Sequence, residues 1–251
     1  MNIIIFDSKN ELGIKSGRDA ATKINHAIRE NGTANIILAT GASQFETLKN
    51  LVEDPNIDWS NVVMFHLDEY AGMSETHPAS FRKYLKERFV EKVSALKAVH
   101  FIKGDNADLD HECKRLNRII SKHPIDVALV GIGENGHLAF NDPPADFDTE
   151  DPFIVVELDK ACRQQQMGEG WFDTIDEVPE QAISMSVRQI MKSKSIICSV
   201  PDKRKANAVK NCLEGDISNL HPASILQEHD DCTVYLDQES ASLLSDQTRS
   251  S

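Results

Sequence analysis

Short apolar runs rich in β-branched residues alternate with longer amphipathic segments along the whole chain. The runs are Ile3–Phe6, Asn35–Ala39, Val62–Leu67, Val99–Ile102, Asp126–Ile132, Phe153–Leu158, Ser195–Val200 and Thr233–Leu236. Several are almost wholly apolar, the pattern of strands covered on both faces. Between them, Ala20, Ala21, Ile24, Ala27 and Ile28 share one helical face, as do Leu109, Cys113, Leu116, Ile119 and Ile120. Further helices are expected across Gln44–Val52, Ala79–Val93 and Lys203–Leu213. This alternation predicts an α/β fold, an open and mostly parallel sheet with helices on both faces. No repeat or low-complexity linker divides the chain. Residues 1–244 therefore read as one domain, and 245–251 as a frayed polar tail.

Charge narrows the partners. The formal net charge of -13 makes the chain a poor non-specific binder of nucleic acid or anionic membrane. No apolar run approaches the ~20 residues of a membrane span. Met1–Asp7 reads as a first strand, not a signal peptide. The five cysteines are scattered, odd in number and never in a CxxC pair. That excludes a disulfide framework and points to a reducing cytoplasm. No second His or Cys recurs at ligand spacing, so no metal site is expected. An anionic ligand would have to be held by a few local cations and by helix-start N–H groups.

Open α/β sheets bind ligands at the carboxyl ends of their strands, and three such ends carry polar residues. After Ile36–Ala39 comes Thr40-Gly41-Ala42-Ser43 and a helix. Its N–H groups and hydroxyls can cradle a phosphate, or Thr40 or Ser43 can simply cap the helix. After Val62–Leu67 come the adjacent carboxylates Asp68 and Glu69. Their side chains diverge, so one can act as a base in a cleft while the other supports the structure; a solvated loop is the alternative. After Asp126–Val130 comes Gly131-Ile132-Gly133-Glu134-Asn135-Gly136-His137, followed by Asn141-Asp142-Pro143-Pro144. The formal GxGxxG is a weak dinucleotide signal, because the prolines soon block a helix. A carboxylate near His137 would fix its tautomer and free the other nitrogen for acid–base work. A structural or solvated loop histidine is the alternative.

Together these segments resemble the glucosamine-6-phosphate deaminase family. The resemblance rests on Thr40-Gly41-Ala42-Ser43, on Leu67-Asp68-Glu69-Tyr70-Ala71-Gly72-Met73 with His77-Pro78-Ala79-Ser80-Phe81, and on Gly131–Pro143. The Asp68 segment separates these deaminases from their lactonase relatives, whereas the histidine loop is common to both. The resemblance implies conversion of glucosamine 6-phosphate to fructose 6-phosphate and ammonia, without metal or organic cofactor. Asp68 would move the sugar's C2 proton to C1. His137, held by Asn135 and Asp142, would open the ring. Thr40, Gly41, Ala42, Ser43, Glu69, Arg163 and Lys205 would bind the substrate, with Arg163 and Lys205 as phosphate cations. A homo-oligomer is left open.

Three residues depart from the family pattern. Ala42 replaces a second glycine and would restrict the phosphate turn. Asn135 carries no charge, and Asp142 is one methylene shorter than the usual Glu. Galactosamine 6-phosphate therefore stays open as substrate, as do a 6-phosphogluconolactonase-like hydrolase and a non-catalytic sugar-phosphate sensor. The stretch Ala145–Pro152 holds four carboxylates where activated relatives carry phosphate-binding residues.

Overall fold

The computed structural model describes residues 1–249. Strand β1 (Asn2–Phe6) leads into α1 (Lys9–Asn31), capped by the Ser8 hydroxyl, which accepts from Glu11 N–H at 3.3 Å. Then follow β2 (Ala34–Leu38), α2 (Phe45–Val52), β3 (Val62–His66), β4 (Asp68–Tyr70) and α3 (Phe81–Leu85). The chain continues through β5 (Ala98–His100), α4 (Leu109–Ile120), β6 (Val127–Val130), β7 (Phe153–Glu157) and α5 (Lys160–Gly168). It ends with β8 (Gln181–Met185), α6 (Val187–Met191), β9 (Ser195–Val200), α7 (Ala206–Glu214), β10 (Cys232–Asp237) and α8 (Asp246–Arg249).

Seven strands form one parallel sheet in the order β1-β10-β9-β6-β2-β3-β5. Alternate residues of each strand enter two separate cores. Ile37, Phe65, Val130 and Cys198 pack on one side, and Ile36, Leu38, Met64 and Leu129 on the other. This two-sided burial is why the strands read as unbroken apolar runs. From β2 the chain works outward through β3 and β5, then returns through β6 on the other side of β2. That reversal opens a crevice at the carboxyl ends of β2 and β6.

A second sheet, antiparallel in the order β4-β8-β7, has no counterpart in the sequence reading. Phe153–Glu157 belongs to it and not to the main sheet. Asp68–Tyr70 and Gln181–Met185 were not expected as strands. The first is three residues with two acids, and the second mixes Gln and Ser among apolar residues, so neither has a readable period. The expected frayed tail instead forms α8, where Arg249 donates to Gln238 Oε1 at 2.7 Å and Ser245 N–H to Glu214 at 2.7 Å. Residues 250–251 lie outside the described residues. Among the described residues, no helix is long and apolar enough to cross a membrane.

Candidate active site

An open cleft of about 870 Å³, mouth included, lies over the carboxyl ends of β2, β6 and β9. Thr40, Gly41, Ala42 and Ser43 line it, with Asp68, Gly133, His137 and Lys205.

The turn after β2 forms one end. Gly41 takes the left-handed φ of 92° and Ala42 starts a 3-10 turn, so Ala42 does not restrict the loop. The glycine is needed one residue earlier than the family comparison suggests. Tyr84 Oη donates to the Gly41 carbonyl at 3.0 Å, and Gln44 Nε2 donates to the carbonyls of Val130 at 3.2 Å and Ser199 at 3.4 Å. One glutamine thus ties the turn to the ends of β6 and β9. Helix-start N–H groups lack intrahelical partners. Lys205, 7% exposed, ends the 3-10 turn that leads into α7. Burial pushes its ammonium down, and Glu169 and Glu134 pull it partly back. Just before it, Asp202 holds a φ of 89°, rare for a non-glycine residue, with its N–H on Asp237 at 3.0 Å. Such backbone costs on the order of 1 kcal/mol or more and concentrates at functional sites.

Asp68 and Glu69 diverge as neighbouring strand residues must. Asp68 faces the cleft. Burial, and secondarily the Glu69 carboxylate, push its pKa up to about 8. Glu69 points the other way and does not line the cleft, which corrects its expected substrate role. Its carboxylate accepts from Phe81 N–H (3.1 Å), Arg82 N–H (2.9 Å) and Ser80 Oγ (3.0 Å), and lies 3.4 Å from Arg82 Nε. It fastens the start of α3 behind the site.

His137 stands on the loop after β6. Its imidazole fills the space that a side chain on Gly133 would need, which explains that glycine. Nδ1 lies 3.2 Å from Asp142 Oδ1, though off the line of a directed hydrogen bond. Asn135 Nδ2 donates to Asp142 Oδ1 at 3.0 Å, and Asn135 Oδ1 accepts from His137 N–H at 3.1 Å. Burial pushes the Asp142 carboxyl up, but His137, Asn135 and the Asp159 N–H together bring it below the usual range. The structure thus gathers His137, Asn135 and Asp142 as expected. It does so through β8: Ser184 pairs with Asp68, and its Oγ accepts from Phe140 N–H at 3.1 Å.

Arg163 does not reach the cleft. Its guanidinium donates to the carbonyls of Ile175 (2.8 Å) and Val178 (3.2 Å), bracing the segment after α5. The cations at the cleft are Lys205, Arg204 and Lys9. Helix α5 contributes Gln165 and Gln166 instead, and its C-cap Glu169; none of the three was expected from the sequence. Gln165 Oε1 accepts from Glu134 N–H at 2.7 Å and Gln166 Oε1 from Tyr70 Oη at 2.7 Å. Nothing in the sequence marks them, since the burial of Gln165 and Gln166 shows only in the fold.

A model of the family described as glucosamine-6-phosphate isomerases/6-phosphogluconolactonase matches residues 7–235. The chain belongs to this family. Within it, the chain is 38% identical over 221 residues to glucosamine-6-phosphate deaminase 1 of Bacillus subtilis (strain 168), covering 86% of this chain and 90% of that one. It is 35% identical to a glucosamine-6-phosphate deaminase of Lactobacillus delbrueckii subsp. bulgaricus, covering 97% and 100%. A solved structure of a monomeric glucosamine-6-phosphate deaminase has a TM-score of 0.89 at 34% identity, covering 97% of this chain and 100% of that chain. The 6-phosphogluconolactonase of Trypanosoma brucei shares the fold, with a TM-score of 0.80 at 17% identity and 97% and 98% coverage.

Glu69→Ala leaves Arg82 buried beside uncapped N–H groups. It should lower unfolding free energy by about 3–5 kcal/mol, read as a lower urea midpoint. A loss under ~1 kcal/mol would return Glu69 to the surface-acid class.

Proposed function

We propose that this protein is a glucosamine-6-phosphate deaminase, converting its substrate to fructose 6-phosphate and ammonia. One observation carries the reading: a buried carboxylate with raised pKa, Asp68, lines the same cleft as a carboxylate-backed imidazole, His137, beside a helix-start turn and a buried lysine. The named relatives support it.

The substrate's phosphate sits at the Thr40–Ser43 turn, with Lys205 as its cation. Arg163 has no part in this. His137 moves the proton that opens the pyranose ring, and Asp142 stabilises the imidazolium. Asp68 then takes the C2 proton of the open-chain sugar and delivers it to C1. The resulting C2 imine adds water and releases ammonia.

Substrate preference among hexosamine 6-phosphates rests on an ammonia assay over the epimers. Glucosamine 6-phosphate should be turned over with the highest kcat/KM; a preference for galactosamine 6-phosphate would overturn the assignment. Absence of ammonia from every hexosamine phosphate, with hydrolysis of 6-phosphogluconolactone, would place the chain among the lactonases.

N-acetylglucosamine 6-phosphate does not activate through the Ala145–Pro152 stretch. Glu150 there is paired with Arg188 at 3.0 Å and Lys192 at 3.3 Å, so both nearby cations are already engaged by a carboxylate. Velocity curves should be unchanged by this compound at low substrate.

Asp68→Asn should lower kcat by about 10²–10⁴, the usual worth of a general base. A base must be ionised, and burial holds Asp68 protonated up to about pH 8 in the free enzyme. The acid limb of wild-type kcat/KM should therefore rise with pH to a midpoint near 8, and not near 4.

Glu169 carries a carboxylate to the phosphate turn, with Oε2 3.6 Å from the Cβ position of Gly41. It must repel an entering phosphate dianion. Glu169→Gln should lower KM roughly five-fold, and Lys205→Gln should raise it roughly a hundred-fold. A KM raised by Glu169→Gln would make that carboxylate a substrate ligand.

A further inference from the structure

His137 and Asp142, from the loop after β6, meet Cys162 of α5 beside the cleft. One ligand atom from each, an imidazole nitrogen, a carboxylate oxygen and a thiol sulfur, lies within 4.8 Å of the other two. Cys162 is fully buried on α5, where its N–H donates to Asp159 Oδ1 at 2.6 Å. The His137 side chain is nine-tenths buried, and its Nδ1 makes no hydrogen bond. Sequence spacing could not reveal this cluster, because its sulfur arrives on a helix twenty residues beyond Asp142.

We propose that His137, Asp142 and Cys162 form a binding site for a thiophilic divalent cation such as Zn²⁺, and that its occupation reversibly blocks the active site. Nitrogen, oxygen and sulfur donors are the ligand set of zinc. Ligands of tetrahedral zinc stand roughly 3.3–3.8 Å apart, so the cluster needs to close by about 1 Å. Charge fits as well. The Cys162 thiol loses its proton to solvent as the metal–sulfur bond forms. A thiolate, a carboxylate and a neutral imidazole then neutralise the dication, which suits a buried site. Forming the metal–sulfur bond releases one proton, so metal uptake tightens as pH rises.

The ion enters through the cleft that His137 lines. Metal on Nδ1 replaces the approach to Asp142, fixes the ring and removes its proton-carrying role. The ion is an inhibitor and not a cofactor.

The test titrates metal-free protein with Co²⁺ and follows its absorption. One equivalent should give a thiolate-to-cobalt charge-transfer band with tetrahedral d–d bands, displaced by Zn²⁺. The band should vanish in Cys162→Ser and persist in Cys113→Ser, which alters a cysteine outside the cluster. Asp142→Asn keeps thiol and imidazole and should weaken Co²⁺ binding at least ten-fold. One equivalent of Zn²⁺ should cut ammonia release at least ten-fold, reversed by chelator. Cys162→Ser should need at least ten-fold more Zn²⁺, relative to its own uninhibited rate. No thiolate band in the wild type, or a band that survives Cys162→Ser, overturns the proposal. The inhibition arm rests on the deaminase reading, but the spectrum does not. A protein without turnover would therefore refute that reading while the cobalt spectrum still decides the site.

Discussion

Because both faces of the seven-stranded sheet are buried, polar chemistry is confined to the ends of its strands. A charged side chain in mid-strand would meet a packed apolar core on either side, at a cost of several kcal/mol. The turns after β2, β6 and β9 escape that penalty. They also lie where the strand order reverses, so their residues converge on one crevice. The position of the cleft follows from sheet burial before any individual catalytic side chain is considered.

The small antiparallel sheet then sets the chemistry. Its β8 pairs with the Asp68 strand and also holds the histidine loop, through Ser184 Oγ and the Met185 carbonyl. Asp68 and His137 are thereby referred to one backbone. The Asp68–Glu69 pair divides the labour of two acids. Burial raises both carboxyls, but Glu69 is tied up by N–H groups and Arg82, whereas Asp68 is left facing the cleft. A carboxylate poised near neutrality is suited to accept and return a carbon-bound proton.

Much of this was legible in the residues, because unbroken apolar runs report two-sided burial directly. Asp68 was readable because it directly follows the apolar run of β3, and Asn135, His137 and Asp142 because they share the glycine-rich loop after β6. The second sheet was not, since β4 and β8 are short and polar. The phosphate end was half legible. Lys205, on the 3-10 turn after β9, lines the cleft, whereas Arg163 does not, because it belongs to a segment whose position depends on contacts with residues 175–178. Cys162 in the first turn of α5 and Glu169 at its C-cap depend on the same placement and were missed for the same reason. Ala42 looked restrictive only because the turn's left-handed residue is Gly41.

Proton transfer at Asp68 is the step on which the functional account turns. Glucosamine 6-phosphate deuterated at C2, incubated with wild type and with Asp68→Asn, reports that step by mass spectrometry of recovered substrate and product. The account predicts loss of the C2 deuteron in wild type, with part of it appearing at C1 of fructose 6-phosphate. In Asp68→Asn the label should stay at C2. Loss of the deuteron from C2 at the wild-type rate in Asp68→Asn would contradict it.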